Sequence, residues 1–435
     1  MNLFITEKIK KHILDKQDVR YVYSMNENVV FNQLVNLKQI TFEVTDACNL
    51  RCLYCAYGEY YNFYKERKNQ FMPVSFAKNI VDYFVNIWTN NTSSSSSRDV
   101  MISFYGGEPL LNMPFIKQVV EYVEKIKVEN LNFKFSMTTN SILLDKYMDY
   151  LVDKKFDLLI SLDGDEFAHS YRVDHKGDSS FSRVIDNVIK MKLKYPEYYI
   201  QHVEFNSVLT NRSSVEGIRK FIFDKFGKKA SVSELSTSGV DLDKVDEFKK
   251  ILNSFYTSIN SSKNIDQLND DLFDKSPYIM GIFSLLRAFS GNYFENYDSI
   301  IIDDSQRKFY PSGTCIPFSK KIFVTVNGLI LPCERIAHKY SLGIVTSEDV
   351  KINCKKIASK YTSYYKSIKK QCVSCYRKPI CYQCMFHIDS LTEEKVECQG
   401  FADKEAFEED IQKFLSYLLN HPHLYERISR DLLFF

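Results

Sequence analysis

The stretch ITFEVTDACNLRCLYC, residues 40–55, carries Cys48, Cys52 and Cys55 at a CxxxCxxC spacing, directly after a run that reads as a strand. In a βα barrel, the loop after a strand lies on the catalytic face. Three thiolates do not complete a structural zinc site, which takes four ligands, whereas a [4Fe–4S] cluster held by three cysteines keeps one iron open. The spacing therefore favours an iron–sulfur cluster with an open iron over a zinc or redox-active cysteine cluster.

From Ile40 onward, strand-like segments alternate with amphipathic helix-like segments. The predicted strands are 40–45, 100–105, 133–138, 158–162, 200–208 and 230–235, and the predicted helices are 74–88, 114–127, 143–154, 181–194 and 213–226. Such alternation is typical of parallel βαβ units. Six units predict an α/β fold, a partial (β/α)6 TIM-like barrel over residues 39–235.

The rest of the chain divides into four segments. Residues 1–38 form an N-terminal segment, in which DVRYVYSMNENVVF predicts a small hairpin that turns at residues 26–28. Residues 236–308 read as a helical linker region and 309–400 as a cysteine-rich domain. The last segment, 401–435, is predicted to be a C-terminal helix, since ADKEAFEEDIQKFLSYLL (402–419) has the periodicity of one amphipathic helix.

Charge and hydropathy argue against two classes of partner. Lys and Arg number 57 and Asp and Glu 55, a net charge of +2, so no overall attraction to nucleic acid or to an acidic membrane is expected. The most apolar window, 278–294, is interrupted by Gly281, Arg287 and Gly291 and cannot span a bilayer. The first residues lack a signal-peptide pattern, and the sequence predicts a cytoplasmic protein.

The eleven cysteines are concentrated in two regions. Three lie in the 40–55 stretch, none lies between Cys55 and Cys315, and the other eight lie from Cys315 to Cys398. In a reducing cytoplasm, dense and regularly spaced cysteines indicate metal binding rather than disulfides. Two separate metal-binding regions are therefore expected.

The cysteine triplet and the barrel pattern resemble the radical S-adenosylmethionine (radical SAM) superfamily, and the motifs FYGGEPLLN (104–112), SMTTN (136–140) and SLDGD (161–165) agree with it. The resemblance implies that SAM binds the first cluster and yields a 5′-deoxyadenosyl radical, while the protein supplies alignment. Arg172 would pair with the SAM carboxylate, although the His-Asp pair that usually precedes this arginine reads His169-Ser170 here and stands one residue early. For the short polar residues at the strand ends, capping of the strand or turn is the alternative role. The SAM-binding residues implied are Tyr54, Gly106, Gly107, Glu108, Pro109, Ser136, Thr138, Asn140, Ser161, Asp163, Arg172 and Val208.

The second cysteine region resembles the SPASM extension of that superfamily, except that two residues rather than three separate Cys381 from Cys384. This implies two auxiliary [4Fe–4S] clusters, three clusters in all. One would use Cys372, Cys375, Cys381 and Cys398, and the other Cys315, Cys333 and Cys384. Cys354 is either a further ligand or a buried thiol, and zinc is the alternative metal for the CxxC pairs. Glu334 stands where sulfatase-maturing relatives carry a catalytic acid/base; the alternative is an exposed structural glutamate.

The resemblance implies a radical SAM oxidoreductase that acts on a peptide or protein. The segment YGEYYNFYKERKNQFM (57–72) is similar to peptide maturases, which favours an enzyme that forms a thioether or other crosslink in a ribosomally made precursor peptide. The alternatives are an anaerobic sulfatase-maturing enzyme that forms formylglycine, and a non-catalytic peptide-binding relative. Expected partners are the precursor peptide and an electron donor such as flavodoxin or ferredoxin. Leader recognition would use the N-terminal segment, a separate leader-binding protein, or the barrel and SPASM surfaces.

Overall fold

The computed structural model describes residues 3–15, 21–62, 68–91, 97–289 and 309–433. Parts of the maturase-like segment and of the predicted linker, 63–67 and 290–308, lie outside the described residues. The chain forms two compact units. The sheet unit is Glu27–Ser258 with Cys315–Ile357, and the helical unit is Met1–Asn26, Ile259–Thr314 and Ala358–Phe435. The predicted cysteine-rich segment 309–400 therefore contributes to both units.

The sheet unit is built on one sheet of ten strands in the described chain, in the order β10-β9-β8-β7-β1-β2-β3-β4-β5-β6. Strands β1 to β6 are parallel, as predicted, and β7 is parallel to β1, whereas β8, β9 and β10 are antiparallel. The strands are β1 (Gln39–Thr45), β2 (Arg98–Gly106), β3 (Leu131–Thr139), β4 (Asp157–Ser161), β5 (Val203–Val208), β6 (Ala230–Ser233), β7 (Ile322–Val324), β8 (Leu329–Leu331), β9 (Gly343–Val345) and β10 (Val350–Ile352).

The helices of the described residues follow the predicted α/β alternation through the barrel. Ser214 caps the helix after β5 by accepting from the Gly217 N–H at 3.0 Å, and Gly227, at φ 70°, ends it. The helices are α1 (Leu3–Asp15), α2 (Glu27–Val35), α3 (Val74–Asn91), α4 (Met113–Glu124), α5 (Leu144–Asp153), α6 (Glu166–His169), α7 (Phe181–Lys194), α8 (Pro196–His202), α9 (Val215–Phe226), α10 (Val245–Ile251), α11 (Phe255–Asn260), α12 (Ile265–Leu272), α13 (Pro277–Phe289), α14 (Cys354–Ser374), α15 (Lys404–Asn420) and α16 (His423–Ile428). Short 3-10 turns cover Pro109–Asn112, Leu242–Lys244, Phe273–Lys275, His338–Tyr340, Lys378–Ile380 and Met385–His387, and a π turn covers Ser429–Leu433.

The sheet encloses a cavity on one face and packs an apolar core on the other. Along β1, Ile40, Phe42 and Val44 are fully buried, while the alternate residues Gln39 and Thr41 line a cavity of ≈ 510 Å³. Because successive strand residues point to opposite faces, the alternation separates a polar interior from the helix-covered face. Residues of β1 to β5 line this one cavity, so the sheet curves around it as a partial barrel.

Two local predictions were wrong. Residues 27–35 form helix α2 instead of the second arm of a hairpin, because Val30 and Leu34, four residues apart, are both fully buried on one helical face. Strand β5 begins at Val203 rather than at residue 200, because Pro196 starts the short helix α8. Tyr198 and Tyr199 anchor that helix through hydroxyl hydrogen bonds to the Phe156 and Phe226 carbonyls.

The helical unit has its own apolar core, formed by α1, α13, α15 and α16. Ile13, Ile279, Ile282, Phe407 and Ile411 meet there. Asp403 caps α15 by accepting from the Ala406 N–H at 2.9 Å, so the predicted C-terminal helix begins at Lys404. The segment 401–435 is not one helix, because α15 ends at Asn420 and α16 begins at His423, after Pro422. In the described part of the chain, no helix is long and apolar enough to cross a membrane.

Candidate active site

The loop that carries Cys48, Cys52 and Cys55 follows β1 and is fixed against the segment after α6. The Arg51 N–H donates to the Val173 carbonyl at 2.7 Å, and the Leu53 N–H donates to the Tyr171 carbonyl at 3.1 Å. These backbone bonds hold the cysteine loop at the carboxyl end of the barrel strands.

The donor set on this loop fits an iron–sulfur cluster. All eleven cysteines of the chain are described, and none forms a disulfide. The Cys48 sulfur accepts from the Leu50 N–H at 3.4 Å and from Asn140 Nδ2 at 3.7 Å. Burial raises the pKa of Cys52 to about 12, and the Arg172 guanidinium opposes the rise. N–H donors and a nearby cation are what a thiolate-ligated cluster needs around its sulfurs.

The start of the cysteine loop lies so close to the paired glycines after β2 that neither position has room for a side chain. A Cβ on Gly106 would lie 2.2 Å from the Thr45 carbonyl oxygen, and one on Gly107 would lie 2.0 Å from that of Ala47. The Gly107 and Glu108 N–H groups donate to these same carbonyls at 2.8 and 2.9 Å. A side chain at either glycine would therefore push the two loops apart.

Glu108 ties the loops after β2 and β3 together. Its buried carboxylate accepts from Thr139 Oγ1 at 2.7 Å, the Asn140 N–H at 2.8 Å and the Leu110 N–H at 3.1 Å. Burial raises its pKa to about 7, against the lowering effect of these three donors. Both carboxylate oxygens thus bond within the protein, and Pro109 begins the short 3-10 turn that Glu108 caps.

Asp163 is the centre of the predicted SAM-binding group. Its carboxylate accepts from Arg172 Nε at 2.8 Å and Nη2 at 3.0 Å, from the Tyr54 hydroxyl, and from the Val208 N–H at 2.9 Å. Burial alone would raise the pKa of Asp163, but Arg172 holds it below its usual value. The fold therefore brings four predicted residues together and pairs Arg172 with Asp163 in a buried, bidentate ion pair.

His169 supports this group as a neutral side chain. The Asp163 N–H donates to His169 Nδ1 at 3.3 Å, and Nε2 lies 3.0 Å from Ser180 Oγ, which in turn donates to the Arg172 carbonyl. An accepting Nδ1 places the ring proton on Nε2. Burial lowers the pKa of His169 to about 4, so the ring contributes hydrogen bonds to this group rather than a charge.

The remaining predicted polar residues lie along the barrel interior. Ser136 Oγ lies 2.6 Å from Ser103 Oγ, which accepts from Gln39 Nε2 at 2.8 Å. Thr138 lines the same cavity, and Ser161 is buried near the end of β4. The Thr41 hydroxyl, also at the cavity, is buried without a hydrogen-bond partner. A barrel interior this polar suits a polar ligand better than a packed core.

Glu334 faces the barrel cavity, and it has a partner that the sequence reading missed. Lys321 Nζ lies 2.9 and 2.8 Å from its two carboxylate oxygens, and both residues line the cavity. Burial would raise the pKa of Glu334, but Lys321 holds it below its usual value. The Glu334 side chain is 16% exposed, so the alternative was wrong about its exposure, and a catalytic role for Glu334 stays a prediction.

A second cysteine site lies within the helical unit. Cys372, Cys375, Cys381 and Cys398 line one cavity, as the predicted ligand set requires. Burial and the neighbouring thiols raise the pKa of Cys372 to about 12. Across the described residues, no group of three or more His, Cys, Asp or Glu side chains is arranged to hold a single metal ion.

The other predicted auxiliary set is divided between the units. Cys315 and Cys333 belong to the sheet unit and Cys384 to the helical unit, so their grouping stays a prediction. Cys354 is the first residue of α14, and burial raises its pKa.

Comparison with known proteins finds relatives of this chain in sequence and in fold. Residues 42–222 match the Radical SAM superfamily. The chain is 24% identical over 396 residues to a cysteine-type anaerobic sulfatase-maturating enzyme of Clostridium novyi (strain NT), an alignment that covers 88% of this chain and 97% of the relative. It is 25% identical over 347 residues to the radical SAM cyclopropyl synthase TigE of Paramaledivibacter caminithermalis, which covers 78% of this chain and 66% of TigE. The solved structure "Native anSMEcpe with bound AdoMet and Kp18Cys peptide" has the same fold, with a TM-score of 0.56 at 19% identity over 90% of this chain and 99% of that one.

Proposed function

We propose that this chain, whose residues 42–222 match the Radical SAM superfamily, is a radical SAM enzyme that oxidatively crosslinks a ribosomally made precursor peptide. The observation that carries the proposal is the coexistence of two cysteine sites: the triplet at the carboxyl end of β1 and the four-cysteine cavity of the helical unit. The relatives from Clostridium novyi and Paramaledivibacter caminithermalis are named for the maturation of sulfatases and for cyclopropyl synthesis. The first of these names supports a polypeptide substrate.

The groups that the residues would hold follow from the donor sets. Cys48, Cys52 and Cys55 would hold the first [4Fe–4S] cluster, and SAM would lie against the Gly106–Pro109 turn and the Asp163 group. Cys372, Cys375, Cys381 and Cys398 would hold one auxiliary cluster, and Cys315, Cys333 and Cys384 the other. When bound, the first cluster and SAM supply a hydrogen-abstracting radical, and the auxiliary clusters supply an electron acceptor.

The barrel interior would orient the substrate and accept a proton. The Lys321–Glu334 pair and the hydroxyls of Ser103 and Ser136 line the cavity between the strands, where an extended peptide segment would displace water. The Glu334 carboxylate is the candidate proton acceptor, because closing a new bond oxidatively releases a proton from the attacking group. Glu334→Gln keeps the size of the side chain and removes that function, so turnover should fall while SAM binding persists.

A sulfatase maturase is the second candidate function, favoured by the nearly full-length alignment with the Clostridium novyi enzyme. It would use the same cavity but convert a Cys or Ser side chain to an aldehyde. A non-catalytic relative is disfavoured, because the three cysteines are all present and the close backbone contacts at Gly106 and Gly107 are kept. The proposed partners are the precursor peptide, a flavodoxin or ferredoxin as electron donor, and a leader-binding protein.

Mass spectrometry of the cognate peptide distinguishes these functions. A crosslink removes two hydrogens, about 2 Da, with 5′-deoxyadenosine formed alongside, because two electrons leave the substrate. An aldehyde in place of a Cys thiol or Ser hydroxyl would assign the chain to the sulfatase maturases, and a gain of about 14 Da, a methyl transfer, would contradict both functions. Cys315→Ala or Cys333→Ala should stop product formation while uncoupled SAM cleavage continues, since the first cluster is untouched.

A further inference from the structure

The segment Tyr21–Asn26 is hydrogen-bonded to parts of the helical unit that follow it in sequence by 287 to 357 residues. The Tyr21 hydroxyl donates to the Lys378 carbonyl at 2.5 Å, and the Val22 N–H donates to the Phe309 carbonyl at 2.8 Å. The Met25 N–H donates to Thr362 Oγ1 at 2.9 Å. These three bonds fix the segment in one position on the unit.

Tyr21 lies at the wall of the four-cysteine cavity. It lines that cavity together with Cys372, Cys375, Cys381 and Cys398. The other large apolar side chains of the wall come from later in the chain: Ile368, Ile388 and Phe401.

A second tyrosine holds Tyr21 in place. The rings of Tyr21 and Tyr23 meet edge to face with centroids 6.2 Å apart, and the Lys369 ammonium lies 5.2 Å from the Tyr23 ring centre. Edge-to-face rings and a cation over an aromatic face both limit rotation of the side chains involved. Tyr21 is therefore a fixed wall of the cavity.

We propose that Tyr21 is a positioning residue that closes the four-cysteine site and shields the auxiliary cluster bound there from water. The inference rests on the proposed function, which places a cluster in this cavity. Solvent exposure and hydrogen bonding to the sulfurs set the potential of an iron–sulfur cluster. A neutral aromatic ring at the wall lowers the exposure, which stabilises the oxidised cluster relative to the more negatively charged reduced form.

Release of iron to a ferrous chelator from the dithionite-reduced, fully reconstituted protein tests this assignment. In Tyr21→Ala, about four of the twelve irons expected for three clusters should leave severalfold faster than in the wild type, because only one cluster is uncovered. Redox titration followed by electron paramagnetic resonance should show one cluster signal moved to a more positive potential. Tyr21→Phe, which keeps the ring and loses the bond to Lys378, should follow the wild type in both measurements.

Tyr425→Ala is the matched control, since Tyr425 is an exposed tyrosine of the same unit that is not in the cavity wall. If Tyr21→Ala fails to load iron, Tyr21→Leu, which keeps apolar bulk, should load fully and release that third of the iron at an intermediate rate. If Tyr21→Ala and Tyr21→Leu both load iron fully and both release it, and titrate, as the wild type does, the role of Tyr21 is overturned while the auxiliary clusters stand. Only about four irons in well-reconstituted wild type would overturn the auxiliary clusters themselves.

Discussion

Replacing Asp163 by Asn tests the buried ion pair at the centre of the candidate SAM site. The side chain of Asp163 is fully buried and that of Arg172 is 9% exposed, so Asp163→Asn leaves a guanidinium without its counter-charge in a dry site. Breaking a buried pair in this way costs roughly 3–5 kcal/mol of unfolding free energy. The bond from the Val208 N–H can still be accepted by the Asn oxygen, so most of the loss comes from the charge.

The assay is anaerobic urea denaturation of the cluster-free protein, followed by tryptophan fluorescence. Trp88, the one tryptophan of the chain, is buried in the same unit, so the signal reports this unit alone. Asp163→Asn with Arg172→Met removes both charges and should cost less than the sum of the single changes by roughly 2–3 kcal/mol. Asp149→Asn, which breaks an exposed pair with Lys194, is the control and should cost about 1 kcal/mol or less. Additive single costs would refute the reasoning.

Three further outcomes are expected. Burial holds the pKa of His169 at about 4 in the folded protein, whereas in the unfolded chain it lies near 6.5. The contribution of neutral His169 to the unfolding free energy is therefore complete above pH 6.5 and is lost towards pH 4, by up to about 3 kcal/mol. His169→Gln should reduce the difference between the unfolding free energies measured by urea titration at pH 5 and pH 7. Gly107→Ala should destabilise by roughly 1–3 kcal/mol through its clash with the Ala47 carbonyl, whereas Gly217→Ala, whose Cβ would meet only Ser214 Oγ at 3.0 Å, should leave the urea midpoint nearly unchanged. Replacing Cys48, Cys52 and Cys55 together by Ala should lower iron, counted colorimetrically, by about a third and abolish SAM cleavage; a smaller loss of iron would contradict the ligand set.

The barrel could be predicted because its signals are local. In each of β1 to β6, apolar residues alternate with polar ones or follow one another over four residues or more. Helix α7 begins and ends at the residues where the apolar periodicity of the sequence begins and ends. Strands β7 to β10 were missed, since each has three residues and β7 pairs with a strand about 280 residues earlier. A pattern of that length carries no period, and nothing local marks its partner. Lys321 was overlooked beside Glu334 because the antiparallel pairing of β7 with β8, which brings the two residues together, was not predicted.

The sequence predicted which residues form the candidate site, but not the hydrogen bonds among them. Tyr54, Asp163, Arg172 and Val208 were assigned to SAM by resemblance, whereas the structure shows that Asp163 bonds the other three. Glu108 likewise uses its carboxylate on the loop after β3. A motif identifies residues that meet at one edge of a parallel sheet, but the hydrogen bonds among them depend on loop geometry that the sequence does not show.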